Sequence, residues 1–130
     1  MTRPSPRLHP CWPVPAAERH RLATAVHLAL ADMLADQPPA QWSELPAAVA
    51  VAGFMLDRLT VEDDVREAVD RAAVALIGSA GLSTASDEAK AACRAFLPYW
   101  EALLCAVTWR RLIEAQRSAD ALRRASERGS

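Results

Sequence analysis

The sequence is poor in glycine and in long apolar runs, and each shortage excludes a class of protein. Four glycines in 130 residues and no run of β-branched residues argue against sheets and hairpins. The glycines match neither the G-x-G-x-x-G nor the Walker pattern, so a phosphate-binding loop is not expected. No apolar run reaches the ~20 residues that span a bilayer, and the proline-rich start lacks the apolar stretch of a signal peptide. We therefore expect a cytoplasmic protein that does not bind a membrane.

Cysteine and histidine are too few and too scattered for a metal or redox centre. The cysteines at 11, 93 and 105 are odd in number and form no C-x-x-C pair, so we expect reduced thiols. By the rise of a helix, His20 and His27 lie ~10 Å apart, which is too far to hold one ion. We therefore expect no metal, no cofactor and no catalytic group.

Apolar residues are nevertheless abundant, at 52% of the chain, and much of that share is alanine. Alanine favours helix and lets helices approach closely, while it adds little buried area per residue. A chain of this length fits one compact domain. The composition therefore predicts an all-α fold with a thin core.

Apolar residues at helical spacing predict a small, roughly antiparallel bundle of four helices. The first helix should begin near Pro15 or Ala16 and stop before the two prolines at 38 and 39. Ser43 is the predicted N-cap of the second helix. The apolar run 47–56 has no polar face, which indicates that the second helix lies at the centre of the core.

The third and fourth helices are predicted from cap and turn residues. Thr60 begins a segment that resembles a capping box, so we expect the third helix to start there. Gly78 and Gly81 should end it. The fourth helix should begin near Thr84 or Ser86 and continue past residue 109. Pro98 removes one backbone hydrogen bond inside it, so we expect a kinked C-terminal helix.

Composition divides the chain into three parts. Residues 1–15 contain five prolines and should form an extended arm, residues 16–109 the helical bundle domain, and residues 110–130 a basic helical extension. Residues 57–70 carry six acids against two arginines, a net charge of −4, whereas residues 110–128 carry six arginines against three acids, a net +3. Opposite charges on one chain can pair between copies, which favours a homodimer.

Tryptophan and arginine at the margins of the apolar stripes indicate partner binding, because both residue types dominate the energetics of protein interfaces. Trp12 lies in the arm, Trp42 in a linker, and Trp109 where the stripe gives way to Arg110 and Arg111. These five residues are the predicted partner-binding set. We expect two of the three rings to have structural roles, which leaves one exposed anchor.

Two alternatives remain. The first is a nucleic-acid-associated regulator, since a basic helix face is typical of phosphate contacts, although the interspersed acids weaken this footprint. Its residues are Arg110, Arg111, Arg117, Arg123, Arg124 and Arg128. The second is a small-ligand-binding or enzymatic bundle, which requires a polar-lined cavity around Tyr99, Glu101 and Cys105.

The favoured interpretation is a non-enzymatic protein-interaction module. The sequence offers no catalytic grouping, and its tryptophan and arginine side chains lie at the margins of the apolar stripes. Only one of the fifteen basic residues is lysine, which together with the alanine excess is typical of a GC-rich bacterial genome. We therefore expect a small bacterial, plasmid or phage accessory or regulatory factor, such as an inhibitor, that binds another protein or itself. The inhibitor role is an analogy with phage and plasmid proteins of this size.

Overall fold

A computed structural model describes residues 12–57 and 59–129. These residues form a short 3₁₀ helix at Pro39–Trp42 and five α-helices, and they contain no strand. The α-helices are α1 Ala16–Leu34, α2 Glu44–Leu56, α3 Asp63–Gly78, α4 Asp87–Ala106 and α5 Trp109–Arg128. The all-α prediction is confirmed. Most of the predicted arm, including Cys11, lies outside the described residues.

The predicted count of four helices is wrong, because the predicted fourth helix is two helices. α4 continues through Pro98 and ends at Ala106. The break falls at Val107, which is extended with φ −91° and ψ 156°. The next residue, Thr108, caps α5, since its hydroxyl accepts a hydrogen bond of 3.2 Å from the Arg111 N–H. A threonine side chain that bonds the backbone in this way starts a new helix and competes with continuation of the old one.

Of the predicted helix starts, Ser86 is confirmed and two others are wrong. The Ser86 hydroxyl accepts a hydrogen bond of 3.1 Å from the Ala89 N–H at the start of α4. Ser43 is already helical, with φ −60° and ψ −20°, and caps nothing, because the 3₁₀ helix leads directly into α2. The N-cap position of α3 is Glu62, without a side-chain bond, so the capping box predicted from Thr60 does not form.

α2 is the central helix and packs against all four other α-helices. Leu45, Ala52 and Met55 on this helix are completely buried. Its sequence has no polar face, so it is stable only where neighbouring helices cover most of its surface. The core therefore forms around α2.

α3 and α5 run parallel to each other on the surface of α2. Near the start of α3, the Arg66 guanidinium donates to the Leu56 carbonyl at 3.1 Å. Near the start of α5, Arg111 donates to the Phe54 carbonyl at 3.2 Å. Both helices thus begin beside the C-terminal end of α2 and run back along it. The space between them becomes a groove.

The first half of α5 belongs to the core, since Leu112 and Ala115 are buried. The sequence division at residue 110 into a bundle and an extension stays a prediction. Among the described residues no helix combines the length and the apolar character needed to cross a membrane.

Candidate protein-docking groove

A groove of about 410 Å³ lies between α3 and α5, with α2 as its floor. Pro46, Ala50 and Gly53 line the floor, Ile77 lines the α3 wall and Leu122 lines the α5 wall. We call it the α2–α3–α5 groove. Its lining is almost entirely apolar, although it opens to solvent.

The floor is open because small residues occupy the outer side of α2. A Cβ atom added at Gly53 would meet no atom within 4 Å. No neighbouring atom therefore requires a glycine there, although glycine inside a helix costs ~1 kcal/mol relative to alanine. The missing side chain leaves the helix backbone accessible to a close approach from outside.

The groove is bordered by apolar side chains that water surrounds. Ile77 is 75% exposed, and Leu122 across the groove is 54% exposed. Single exposed apolar residues are normal on soluble proteins, whereas a cluster around a concave apolar floor is typical of an interaction site. The cluster is therefore the strongest candidate for a docking surface.

One stripe of α3 changes from acidic to apolar along its length. Glu67, Asp70, Val74 and Ile77 follow each other at spacings of three or four residues and so share one face. Glu67 pairs at 2.6 Å with Arg71 on its own helix. Asp70 is exposed and has no ion-pair partner among the described residues.

Exposed arginines form a stripe on the side of α5 opposite the groove-lining Leu122. Arg117, Arg124 and Arg128 are spaced seven and four residues apart and share one face. In the part of the chain that the structure describes, none of the three has an ion-pair partner. Of the other arginines in the predicted nucleic-acid set, Arg110 pairs with Glu114 and Arg123 pairs with Asp120 and Glu127. Acids within α5 thus neutralise part of the predicted basic face.

The predicted tryptophan anchors occupy three different environments. Trp42 is buried and its indole N–H donates to the Gln37 carbonyl at 2.9 Å, which gives the ring a structural role. Trp12 is 49% exposed and Trp109 is partly buried. The Trp109 N–H donates to the Trp12 carbonyl at 2.8 Å, so the structure brings these two residues together.

The two predicted partner-binding arginines point in different directions. Arg110 is exposed, whereas the side chain of Arg111 is only 18% exposed. Arg111 donates to the Phe54 carbonyl at 3.2 Å and to a Glu114 carboxylate oxygen at 3.1 Å. It therefore ties α5 to α2.

Tyr99 lies at a second, larger groove of about 1010 Å³ between α3 and α4. Its hydroxyl donates to an Asp64 carboxylate oxygen on α3 at 3.2 Å. This hydrogen bond and the charge of Asp64 raise the pKa of Tyr99, because removing its proton would place two negative charges side by side. The groove is open and its rim is acidic.

The other two residues of the ligand-binding alternative face α1. The His27 Nε2 lies 2.6 Å from a Glu101 carboxylate oxygen. The Cys105 sulfur accepts a hydrogen bond of 3.1 Å from Arg19. Each group is thus engaged by a different partner on α1, and the structure does not gather them with Tyr99 around one cavity. No group of three or more His, Cys, Asp or Glu side chains within the described residues is placed to hold a metal ion.

Comparison of the chain with protein-family models, with curated proteins and with solved structures finds no significant match. The functional conclusion therefore depends on the groove and its surroundings.

Sequence reasoning missed Ile77 and Leu122 as candidate functional residues. The buried side of α3 carries Ala68, Val69, Ala72 and Ala75. Ile77 falls outside this side at helical spacing, which could have identified it as an exposed apolar residue. What the sequence did not reveal is that α2 and α5 place a small-residue floor and Leu122 beside it.

Proposed function

We propose that the protein is a non-enzymatic protein-interaction module whose docking surface is the α2–α3–α5 groove. The observation that carries this proposal is that the exposed Ile77 and Leu122 lie on opposite walls of an open apolar floor. Fully burying one such side chain against a partner contributes ~1.5–3 kcal/mol. Two of them across one apolar floor supply a central apolar anchor of the kind on which interfaces depend.

We also propose that the protein is a small bacterial, plasmid or phage accessory or regulatory factor. The strong preference for arginine over lysine supports a bacterial, plasmid or phage origin. Cys93 and Cys105 are unpaired, which supports a reducing compartment such as the cytoplasm. A small interaction module without catalytic groupings fits an accessory or regulatory role, inhibition of a target protein included.

Replacing Ile77 with aspartate tests whether the groove is the docking surface. The change places a charge on the groove wall, while the exposure of Ile77 leaves the fold intact. Leu28→Asp is the matched control, because Leu28 is 63% exposed on α1 and does not line the groove. The tagged full chain is used to capture proteins from an extract of its source organism, and the captured proteins are quantified by mass spectrometry.

The expected result is at least about a tenfold loss of the specifically captured protein for Ile77→Asp, which corresponds to ~1.4 kcal/mol. Leu28→Asp should capture as much as the unmodified chain, and circular dichroism should show equal helix content in all three. If Ile77→Asp and Leu28→Asp capture equally well, the groove is not the docking surface.

A further inference from the structure

We infer that the groove of about 1010 Å³ between α3 and α4, which we call the α3–α4 groove, binds a cationic amphipathic helix of another protein. This second docking surface does not depend on the function proposed for the α2–α3–α5 groove. The inference is carried by the lining, which has small apolar side chains along its floor and carboxylates along its rim. A helix with an apolar stripe between basic residues complements both features.

Alanine side chains form the floor of the α3–α4 groove. Ala91, Ala92 and Ala95 lie on one side of α4, and Ala68 adds the α3 side. Because an alanine side chain ends at its Cβ atom, an incoming helix can approach to the ~8–10 Å between axes that is usual for packed helices. Val74 at the α3 edge is 67% exposed and offers this helix a larger apolar contact.

The rim carries an excess of negative charge. Five carboxylates line the groove against two guanidiniums, a net charge of −3; the carboxylates are those of Asp63, Asp64, Glu67, Asp70 and Glu88, and the guanidiniums those of Arg66 and Arg71. Within the described part of the chain, Asp63, Asp70 and Glu88 have no ion-pair partner. Basic side chains that flank an apolar stripe would therefore meet carboxylates that are still unpaired.

The two arginines of the lining are engaged within the chain. The Arg66 guanidinium donates to the carbonyls of Leu56 and Leu59, at 3.1 and 2.8 Å, which holds it beside the end of α2. Arg71 pairs at 2.6 Å with Glu67 on its own helix. The lining thus keeps carboxylates that only a cation from outside the groove can pair.

The spacing and the walls of the groove favour a helix as its occupant. Asp63, Glu67 and Asp70 follow each other at four and three residues, which is about one helical turn each. A helix lying alongside repeats its own side chains at the same interval, so basic residues at i, i+4 and i+7 meet all three carboxylates. An extended strand would need backbone partners, whereas the walls are helices whose backbone groups are already bonded.

The first experiment uses a fluorescent peptide of about 15 residues, designed as a helix with a leucine and alanine stripe flanked by lysine and arginine. It is ~22 Å long and covers the ~16 Å from Asp63 to Val74. Fluorescence anisotropy measures its binding to the full chain. We expect a dissociation constant of about 1–100 µM at ~0.1 M salt, weakened at least about fivefold at ~0.5 M, because salt screens charges at an exposed rim.

A scrambled peptide of the same composition, in which the apolar residues form no stripe, is the control for net charge. It should bind at least about tenfold more weakly, because it cannot place apolar side chains on the alanine floor. Equal binding of the two peptides would mean that the acidic rim attracts any cation, and this overturns the inference. Failure of the designed peptide to bind at ~500 µM overturns it as well.

The second experiment locates the bound peptide by filling the groove. Ala95→Trp puts a large ring on the floor at an exposed position, and Ala121→Trp is the matched control at an exposed position of α5 outside the groove. Ala95→Trp should weaken binding at least about tenfold and Ala121→Trp less than about twofold, with equal helix content by circular dichroism. Ile77→Asp, on the wall of the other groove, should leave binding unchanged.

Charge reversal tests the rim separately from the floor. Asp63→Lys with Glu67→Lys reverses two carboxylates of the groove, and Asp120→Lys with Glu127→Lys makes the same change in net charge on α5. The first pair should weaken binding at least about tenfold and the second less than about threefold, since charges beyond ~10 Å are screened at this salt. Equal losses for both pairs would show attraction by net charge alone and overturn the inference.

The two docking surfaces fail in distinguishable ways. A peptide that Ile77→Asp releases and Ala95→Trp retains occupies the α2–α3–α5 groove, which overturns the assignment to the α3–α4 groove. Capture of a partner by the α2–α3–α5 groove is measured independently, so loss of either result leaves the other in place.

Discussion

At the scale of single residues, the two cysteines that the structure describes have opposite environments. Cys93 on α4 is completely buried among apolar side chains. Cys105, twelve residues later on the same helix, is exposed beside the Arg19 guanidinium. Burial raises the pKa of the Cys93 thiol to about 11, because the thiolate would lose its hydration. Environment therefore decides which of two chemically identical groups can react.

Alkylation with iodoacetamide at pH 8 should modify Cys105 and leave Cys93 intact in the folded chain. The rise of the Cys93 pKa from 9.0 to about 11 alone lowers its thiolate population about a hundredfold at that pH, and burial also blocks the reagent. Peptide mass spectrometry measures the two rates separately, and the same reaction in urea is the control. Similar rates for both cysteines in the folded state would contradict the burial of Cys93.

The same pKa shift predicts how stability depends on pH. The folded state holds Cys93 protonated more strongly than the unfolded state does, since its folded pKa is the higher one. This contribution to stability is fully present below the ordinary thiol pKa near 9.0 and is lost as pH rises through about 11.

At the scale of helices, caps decide where each element starts. Ser43 and Ser86 both stand directly before a helix, and only Ser86 accepts a backbone N–H. The Ser86 hydroxyl also lies 3.0 Å from the hydroxyl of the buried Ser79, which closes the loop between α3 and α4. Identical residue types at similar positions thus have different roles, because the preceding backbone conformation differs.

Replacing Ser86 with alanine should lower the free energy of unfolding by ~1 kcal/mol, the usual value for loss of an N-cap. Ser43→Ala is the matched control and should change it by less than ~0.5 kcal/mol, as is typical of surface positions. Urea denaturation followed by circular dichroism measures both. Equal effects of the two substitutions would mean that Ser86 does not act as a cap.

Pro98 shows that a proline inside a predicted helix does not by itself decide where that helix ends. Its ring removes one backbone hydrogen bond, yet α4 continues through it, with Phe96 and Trp100 buried on either side. The centroids of these two rings lie 6.0 Å apart. Burial of such large side chains offsets the local cost of the proline. The helix ends instead at Val107 and Thr108, where a cap is available.

At the scale of the whole molecule, the segment before α1 closes the fold. Pro13 and Thr108 form an isolated β-bridge, and the Trp109 N–H bonds the Trp12 carbonyl. Val14 is buried as part of the core. Residues 12–14 therefore cover the break between α4 and α5.

Replacing Val14 with alanine should cost ~2 kcal/mol of unfolding free energy, as expected for removing buried methyl groups. Amide hydrogen exchange at Trp109 should become faster, because its N–H loses a firmly docked partner. Leu28→Ala, at an exposed position, is the control and should leave both quantities unchanged. An unchanged exchange rate at Trp109 in Val14→Ala would mean that the segment docks without the help of Val14.

The amino-acid sequence by itself determined the all-α class, the central position of α2, the start of α1 and the Ser86 cap. These features depend on residues close together in the chain, where helical spacing and cap chemistry act directly. It also placed opposite charges on two separate segments.

Only the tertiary structure decided that α4 and α5 are separate helices, that Trp42 is buried, and that Tyr99 lies apart from Glu101 and Cys105. It alone formed the groove, because Gly53, Ile77 and Leu122 belong to three helices and become neighbours only when α3 and α5 pack on α2. Local spacing does not encode such packing between elements distant in the chain, and the candidate function depends on that packing.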